Sequence, residues 1–153
     1  MLITNIFSGG KMWIYNNEPI KQLPEDCLGF VYLITNMESG RMYVGKKLAR
    51  FKTTRYRMHT QKNGKKVRKK IRGAVSSDWQ DYYGSSDQLN KDIALLGREK
   101  FRREILYYCR SKAELNYVEA REQFSRKVLE SDQYYNGHIR VRVHGSLIIG
   151  KEL

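Results

Sequence analysis

Acidic residues are missing from the whole stretch between Lys46 and Arg72, and the chain is poor in both cysteine and proline. The two cysteines, Cys27 and Cys109, make no disulfide framework of the kind small secreted domains rely on, so a reducing cytosol is the fitting compartment. Cys109 ends an apolar run and reads as a buried thiol, while a bridge between the two is left open by sequence. Both prolines, Pro19 and Pro24, fall within the first 28 residues, so no later element is broken by one. No apolar run approaches the roughly 20 residues of a membrane span, and Met1 to Asn5 lacks the basic start and apolar centre of a secretion signal. His138 and His144 have no ligand-like spacing with cysteine, which reads them as surface residues.

What is present is a globular composition. With 153 residues, 41% of them hydrophobic and 12% aromatic, the chain is long enough to bury one core without staples. Its net charge of +13 is not spread evenly. Thirteen Lys and Arg lie between Lys46 and Arg72, so the other sixteen balance the sixteen acidic residues elsewhere. Charge confined to one segment builds a local field that favours polyanions, and nucleic acid is the leading partner. An acidic membrane surface is the weaker rival, because the segment has few large apolar residues at helical spacing.

The basic segment begins where a second signal ends. Phe30 to Asn36 and Arg41 to Lys46 are apolar, β-branched and aromatic, and Met37 to Gly40 supplies turn residues, so the pair is a β-hairpin. Tyr32 and Tyr43 sit on its adjacent strands and can share one face, and Gly45 allows a close approach of other atoms. Downstream, Asn63-Gly64 between basic arms predicts a two-residue turn and a projecting ribbon, the alternative being a mobile loop. Ser85 to Gln88 has capping-box spacing and opens a helix with Leu89, Ile93 and Leu96 on one face, stopped by Gly97. Phe101 to Cys109 reads as a third strand beside the hairpin. Ser111 to Glu114 is a second capping box, and the helix after it runs to about Leu129 with Ala113, Tyr117, Ala120, Phe124 and Val128 as its inward face. Asp132 to Asn136 is a turn, and Ile139 to Ile149 reads as one more strand or an ordered tail. The order predicts an α+β domain: a three-stranded, mainly antiparallel sheet flanked by helices, with a basic ribbon or loop insertion. Residues 1–28 form a lead-in, 29–137 the main domain with its insertion at 46–72, and 138–153 a C-terminal piece.

Gly29, the run Phe30-Val31-Tyr32, Asn36, Gly40 and the run Tyr43-Val44-Gly45 before Lys46-Lys47 resemble the two signature strands of the GIY-YIG nucleases. The element order is similar to that family's core as well, over Gly29 to Asn136. Lys11 to Asn17 with Leu23-Pro-Glu loosely resembles a short tryptophan and asparagine motif found beside phage homing nucleases, a β-ribbon packed on the core being the alternative. The resemblance implies a DNA endonuclease, closest to the free-standing phage homing enzymes, with double-stranded DNA as partner and the cytoplasm of a phage-infected bacterium as its setting. It also implies one divalent metal, Mg2+ or another such as Mn2+. Tyr32 is then the candidate base and Tyr43 its partner at the phosphate. Glu119 is the metal ligand, with Glu122 as the alternative; Glu119 lies in a polar stripe with Asn116 and Gln123, whereas Glu122 is expected to point away from the inward face. Gly45 and Asn136 support the site. The family usually carries an arginine on a helix after the second strand, often with a histidine one turn later. Arg55 and His59 have that spacing, but as parts of a ribbon they are expected not to share a face, so Lys46 and Lys47 take the cationic role with Arg55 in reserve. The DNA-binding set is Arg50, Lys52, Arg55, Arg57, Lys65, Lys66, Arg68, Lys69, Lys70 and Arg72, acting on phosphates rather than bases. A non-catalytic nucleic-acid-binding module and a restriction or repair nuclease are the competing readings.

If the basic segment neutralises about six phosphates, duplex affinity falls roughly a thousandfold between about 50 and 200 mM salt. A salt titration of binding measures this, and an affinity indifferent to salt contradicts it.

Overall fold

Strand β3, which fills Gly29–Asn36, is buried along nearly its entire length, and the rest of the domain follows from covering its two faces and two edges. The structure is a computed structural model that describes residues 11–153, so the first ten residues of the lead-in lie outside the described residues.

The turn after β3 forms because the Asn36 side-chain oxygen accepts from the N–H groups of Glu38 and Ser39, at 3.0 and 3.2 Å, while Gly40 takes φ +77°. The chain returns as β4 (Met42–Leu48), antiparallel to β3. After β4 come a long ribbon, with strands β5 (Arg50–Thr60) and β6 (Lys66–Ser76), and a helix α1 (Asp87–Leu96). β7 (Phe101–Cys109) then pairs antiparallel with the other edge of β3, and α2 (Lys112–Ser125) follows.

Among the described residues the sheet has five strands, not the expected three. Two-residue strands β1 (Ile14–Tyr15) and β2 (Glu18–Pro19) extend it in the order β2-β1-β7-β3-β4, and the parallel pairing of β1 with β7 makes it mixed. Strands this short carry no hydrophobic period to read. Their signal is the turn: Asn16 and Asn17 both take positive φ, 48° and 64°, as a tight hairpin turn requires. The lead-in is anchored by Trp13, which is 1% exposed and donates its indole N–H to the Trp79 carbonyl at 2.8 Å.

Alternation along β3 divides the core in two. Phe30, Tyr32 and Ile34 face Trp13, Trp79, Tyr83 and the Leu89 and Ile93 side of α1. Val31 and Leu33 face the other way, toward Leu115 and Val118 of α2 and Val128 beyond it. The two helices therefore cover opposite faces of one sheet.

Several local expectations change. The N-cap of α1 is Ser86, whose hydroxyl accepts from the Leu89 N–H, and not Ser85. Ser111 caps α2 through the Glu114 N–H, and the Glu114 carboxylate accepts from the Arg110 N–H, one residue outside a capping box. α2 ends at Ser125, four residues before the expected Leu129, and Lys127 takes a left-handed φ of 54°. Of the expected face, Ala120 and, beyond the helix end, Val128 are buried, but Leu115, Val118 and Gln123 complete the inward side, whereas Tyr117 and Phe124 are 38% and 63% exposed. Apolar periodicity misplaced that face because its inner side carries polar groups that bond the sheet edge. The basic segment is a ribbon and not a loop. Its turn is longer than the two residues expected: Gly64 donates to the Gln61 carbonyl and Gln61 to that of Lys65, so Lys62, Asn63 and Gly64 form a three-residue loop with Gly64 at φ +79°. Residues 138–153 add no strand and contain one 3-10 turn at Gly145–Leu147.

Arg103, 1% exposed on β7, ties the segment before α1 to the sheet. Its guanidinium donates to the carbonyls of Gln80 and Tyr82 at 2.8 and 2.9 Å, and lies over the Tyr83 ring at 4.0 Å and the Trp13 ring at 4.8 Å. Arg103→Met strands those carbonyls, and urea unfolding is expected to show a loss of about 2–4 kcal/mol. A loss below about 0.5 kcal/mol, the usual range of surface changes, means the segment holds without it.

Candidate active site and nucleic-acid interface

β4 is the edge of the sheet, and its outward backbone groups would be left without partners unless other parts of the chain met them. Asn136 meets Val44 as a strand would: its side-chain oxygen accepts the Val44 N–H at 3.0 Å and its NH2 donates to the Val44 carbonyl at 2.7 Å. Gln123 on α2 donates to the same carbonyl at 3.0 Å. Met42 is met by the Gln133 carbonyl and the Tyr135 N–H at 2.8 and 2.7 Å. These contacts bring α2 and the closing turn against one edge, and an open cleft of about 470 Å³ lies beside it. Its walls include Tyr43, Lys46, Glu119, Gln123, Asn136 and the start of α1.

Tyr32 lies opposite Gly45, and Tyr43 lies opposite Ile34, so the two tyrosines are diagonal neighbours on one face with ring centroids 6.1 Å apart. Gly45 makes that approach possible. A Cβ there would come within 2.5 Å of the Tyr32 hydroxyl and 2.8 Å of the Tyr43 ring. Tyr32 is 1% exposed, and burial first, then the neighbouring hydroxyls of Tyr82 and Tyr43, pushes its pKa well above the ordinary phenol value. At neutral pH it is a neutral phenol that shares a hydrogen bond with Tyr82. Tyr43 is also raised by burial, against the lowering effect of its 3.2 Å hydrogen bond with Ser85.

The two lysines part company because adjacent strand residues point to opposite faces. Lys46 lies opposite Val31 and reaches the cleft, 2.9 Å from the Glu119 carboxylate and 2.8 Å from the Asn116 side-chain oxygen. Lys47 lies on the tyrosine face, over the Tyr82 ring at 4.0 Å and 2.5 Å from Asp78, whose carboxyl it holds below the usual range. Glu119 and Glu122 are about equally enclosed, with side chains 13% and 14% exposed, so Glu122 does not point away as expected. What separates them is their partners. Glu122 pairs with Arg126 at 2.7 Å within α2, and only Glu119 of the two lines the cleft.

All but Thr53 and Val67 in the two ribbon strands are exposed. Pairing divides the cations unequally: Arg50, Lys52, Lys66, Arg68, Lys70 and Arg72 share one face, and Arg55, Arg57 and Lys69 the other, with Lys62 in the turn and Lys65 directly after it. Arg68 lies over the Tyr56 ring at 3.9 Å on the richer face. Arg55 and His59 do share a face, because strand side chains repeat every second residue, but they stand roughly 13 Å apart along the strand. Among the described residues, no helix is long and apolar enough to cross a membrane, and no three or more His, Cys, Asp or Glu gather to hold a metal. Cys27 and Cys109 are both buried free thiols.

The family model described as "Putative endonuclease segE, GIY-YIG domain" matches residues 13–139. No curated protein matches the chain. No solved structure does either.

Sequence reasoning passed over Tyr82, Gln123 and Arg103 as working parts. Tyr82 and Gln123 carried weak signals, in an aromatic cluster and in the polar stripe beside Glu119. The clearest test of the tyrosine geometry is Gly45→Ala, expected to cost about 1–3 kcal/mol by overpacking. Thermal unfolding of the variant at the wild-type temperature contradicts the tight fit.

Proposed function

Because the chain belongs to the SegE-type GIY-YIG endonuclease domain family, we propose that it is a divalent-metal-dependent DNA endonuclease of the free-standing homing type. The family is a nuclease family, and nucleic acid follows as the substrate class. The observation that carries the finer reading is the cleft at the β4 edge, where Glu119, Lys46 and Tyr43 converge from a helix and a strand.

Magnesium keeps several waters and takes one or two protein carboxylates together with phosphate oxygens. A single enclosed glutamate on an open cleft fits that demand. Glu119 would hold the ion, and Glu122, already engaged by Arg126, is the alternative. When bound, such an ion stabilises charge on the phosphate and acidifies water. Mn2+ suits the same oxygen ligand.

The chain's own groups do the rest. Tyr43 lines the cleft and meets the phosphate region, with Ser85 orienting its hydroxyl. Tyr32 is the candidate base, and its raised pKa means that it works as a hydrogen-bonding phenol unless a cation draws its proton away. Lys47, stacked on Tyr82, is a cation on that face. Lys46 guards the cleft side, Asn136 holds β4 in place, and Gly45 leaves room for the two tyrosines. The ribbon supplies affinity for double-stranded DNA. A two-stranded ribbon fits a major groove about 12 Å wide, and alternate residues advance about 6.7 Å, close to two base-pair steps.

Supercoiled plasmid incubated with the protein is expected to be cut with Mg2+ and left intact with EDTA. Glu119→Ala and Tyr32→Phe should each slow cutting by about a hundredfold. Cutting that survives Glu119→Ala but is lost in Glu122→Ala moves the metal ligand one turn along α2. Tight DNA binding with no cutting in either Mg2+ or Mn2+ makes the chain a binding module on a nuclease fold.

A further inference from the structure

The cleft is lined by two carboxylates, Asp87 and Glu119, and by two full cations, Lys46 and Arg140. Lys46 is already committed, to Glu119 at 2.9 Å and to Asn116 at 2.8 Å. Arg140 forms no ion pair among the described residues. A phosphodiester anion entering a cleft whose fixed charges cancel gains little attraction from their sum. It gains from a cation that no carboxylate holds.

Arg140 reaches the cleft because of the backbone path before it. Asn136 is fastened to Val44 through both its oxygen and its NH2, so the chain leaves the β4 edge at a fixed point, and Gly137, His138 and Arg140 line the cleft directly after it. Arg140 also stands one residue past the segment that matches the family model.

We propose that Arg140 is a catalytic residue that contacts the scissile phosphate. This rests on the nuclease reading of the same cleft. In the hydrolysis, a water oxygen bonds to phosphorus, the bond from phosphorus to the leaving sugar oxygen breaks, the water gives its proton to a base, and the leaving oxygen gains one. Arg140 takes no part in those bonds. Its planar fork donates two parallel N–H groups to the non-bridging oxygens, where charge grows in the transition state. A lysine carries the charge without the fork, so the two side chains are not equivalent there.

The full chain is tested as Arg140→Ala, Arg140→Lys and Arg142→Ala. Arg142 is exposed and outside the cleft, and its loss removes the same charge. Two readouts are taken: the single-turnover cutting rate at saturating duplex with Mg2+, and duplex affinity against salt in EDTA. Arg140→Ala should lower the rate about a hundredfold and reduce the salt slope by about one. Arg140→Lys should restore the slope but only part of the rate. Arg142→Ala should leave the rate within about twofold, as a surface change does. An Arg140→Ala rate within that same range, or one no lower than that of Arg142→Ala, overturns the proposal. If the wild-type chain cuts no DNA, the nuclease reading fails, and the slope alone then judges Arg140 as a phosphate contact: an unchanged slope rejects it.

Discussion

Satisfying the outer edge of β4 is the constraint on which the site depends. An edge strand presents backbone N–H and C=O groups that must find partners, and here the partners are side chains and turns from distant parts of the chain. Asn136 takes both groups of Val44, Gln123 joins at the same carbonyl, and Gln133 and Tyr135 take those of Met42. One set of hydrogen bonds thereby fixes α2, the closing turn and the start of the tail relative to the hairpin. The cleft is the space between those three, β4 and the start of α1.

The electrostatics of that space are local. Lys46 and Glu119 neutralise each other across the cleft, and Lys47 is held on the opposite face by Asp78 and Tyr82. The excess charge of the molecule sits instead on a ribbon that pairs with itself, and its two faces carry unequal numbers of cations. The excess charge and the cleft thus lie on separate structures, joined where β4 runs into β5. Burial adds a third element. Because Tyr32 is sealed among Trp13, Phe30, Tyr43 and Tyr82, its phenol stays neutral far into the alkaline range.

Strong local signals were legible where a few adjacent residues decide the outcome. The hairpin, the third strand beside it, both helices and the basic ribbon follow from β-branched runs, capping serines and an Asn-Gly turn. The lead-in was legible as a β-ribbon packed on the core, but the bounds of β1 and β2 and their joining of the sheet through β7 were not, because an Asn-Asn turn marks such short strands only when both residues take positive φ and a neighbouring strand is present to pair with. The inner face of α2 was misread for a related reason. Gln123 is buried at 5% exposure to bond the sheet edge and Phe124 stands out at 63%, so apolar spacing pointed to the wrong row.

By itself the sequence determined the signature hairpin, the concentration of charge between Lys46 and Arg72, and the glutamates of the long helix. Each of these is a property of neighbours along the chain. Which glutamate meets the cleft, how Lys46 and Lys47 divide between faces, and that Arg140 lines the same cleft as Glu119 were decided only by tertiary structure. Those are distances between elements far apart in sequence, set by how the edge of β4 is satisfied, and no local pattern encodes them.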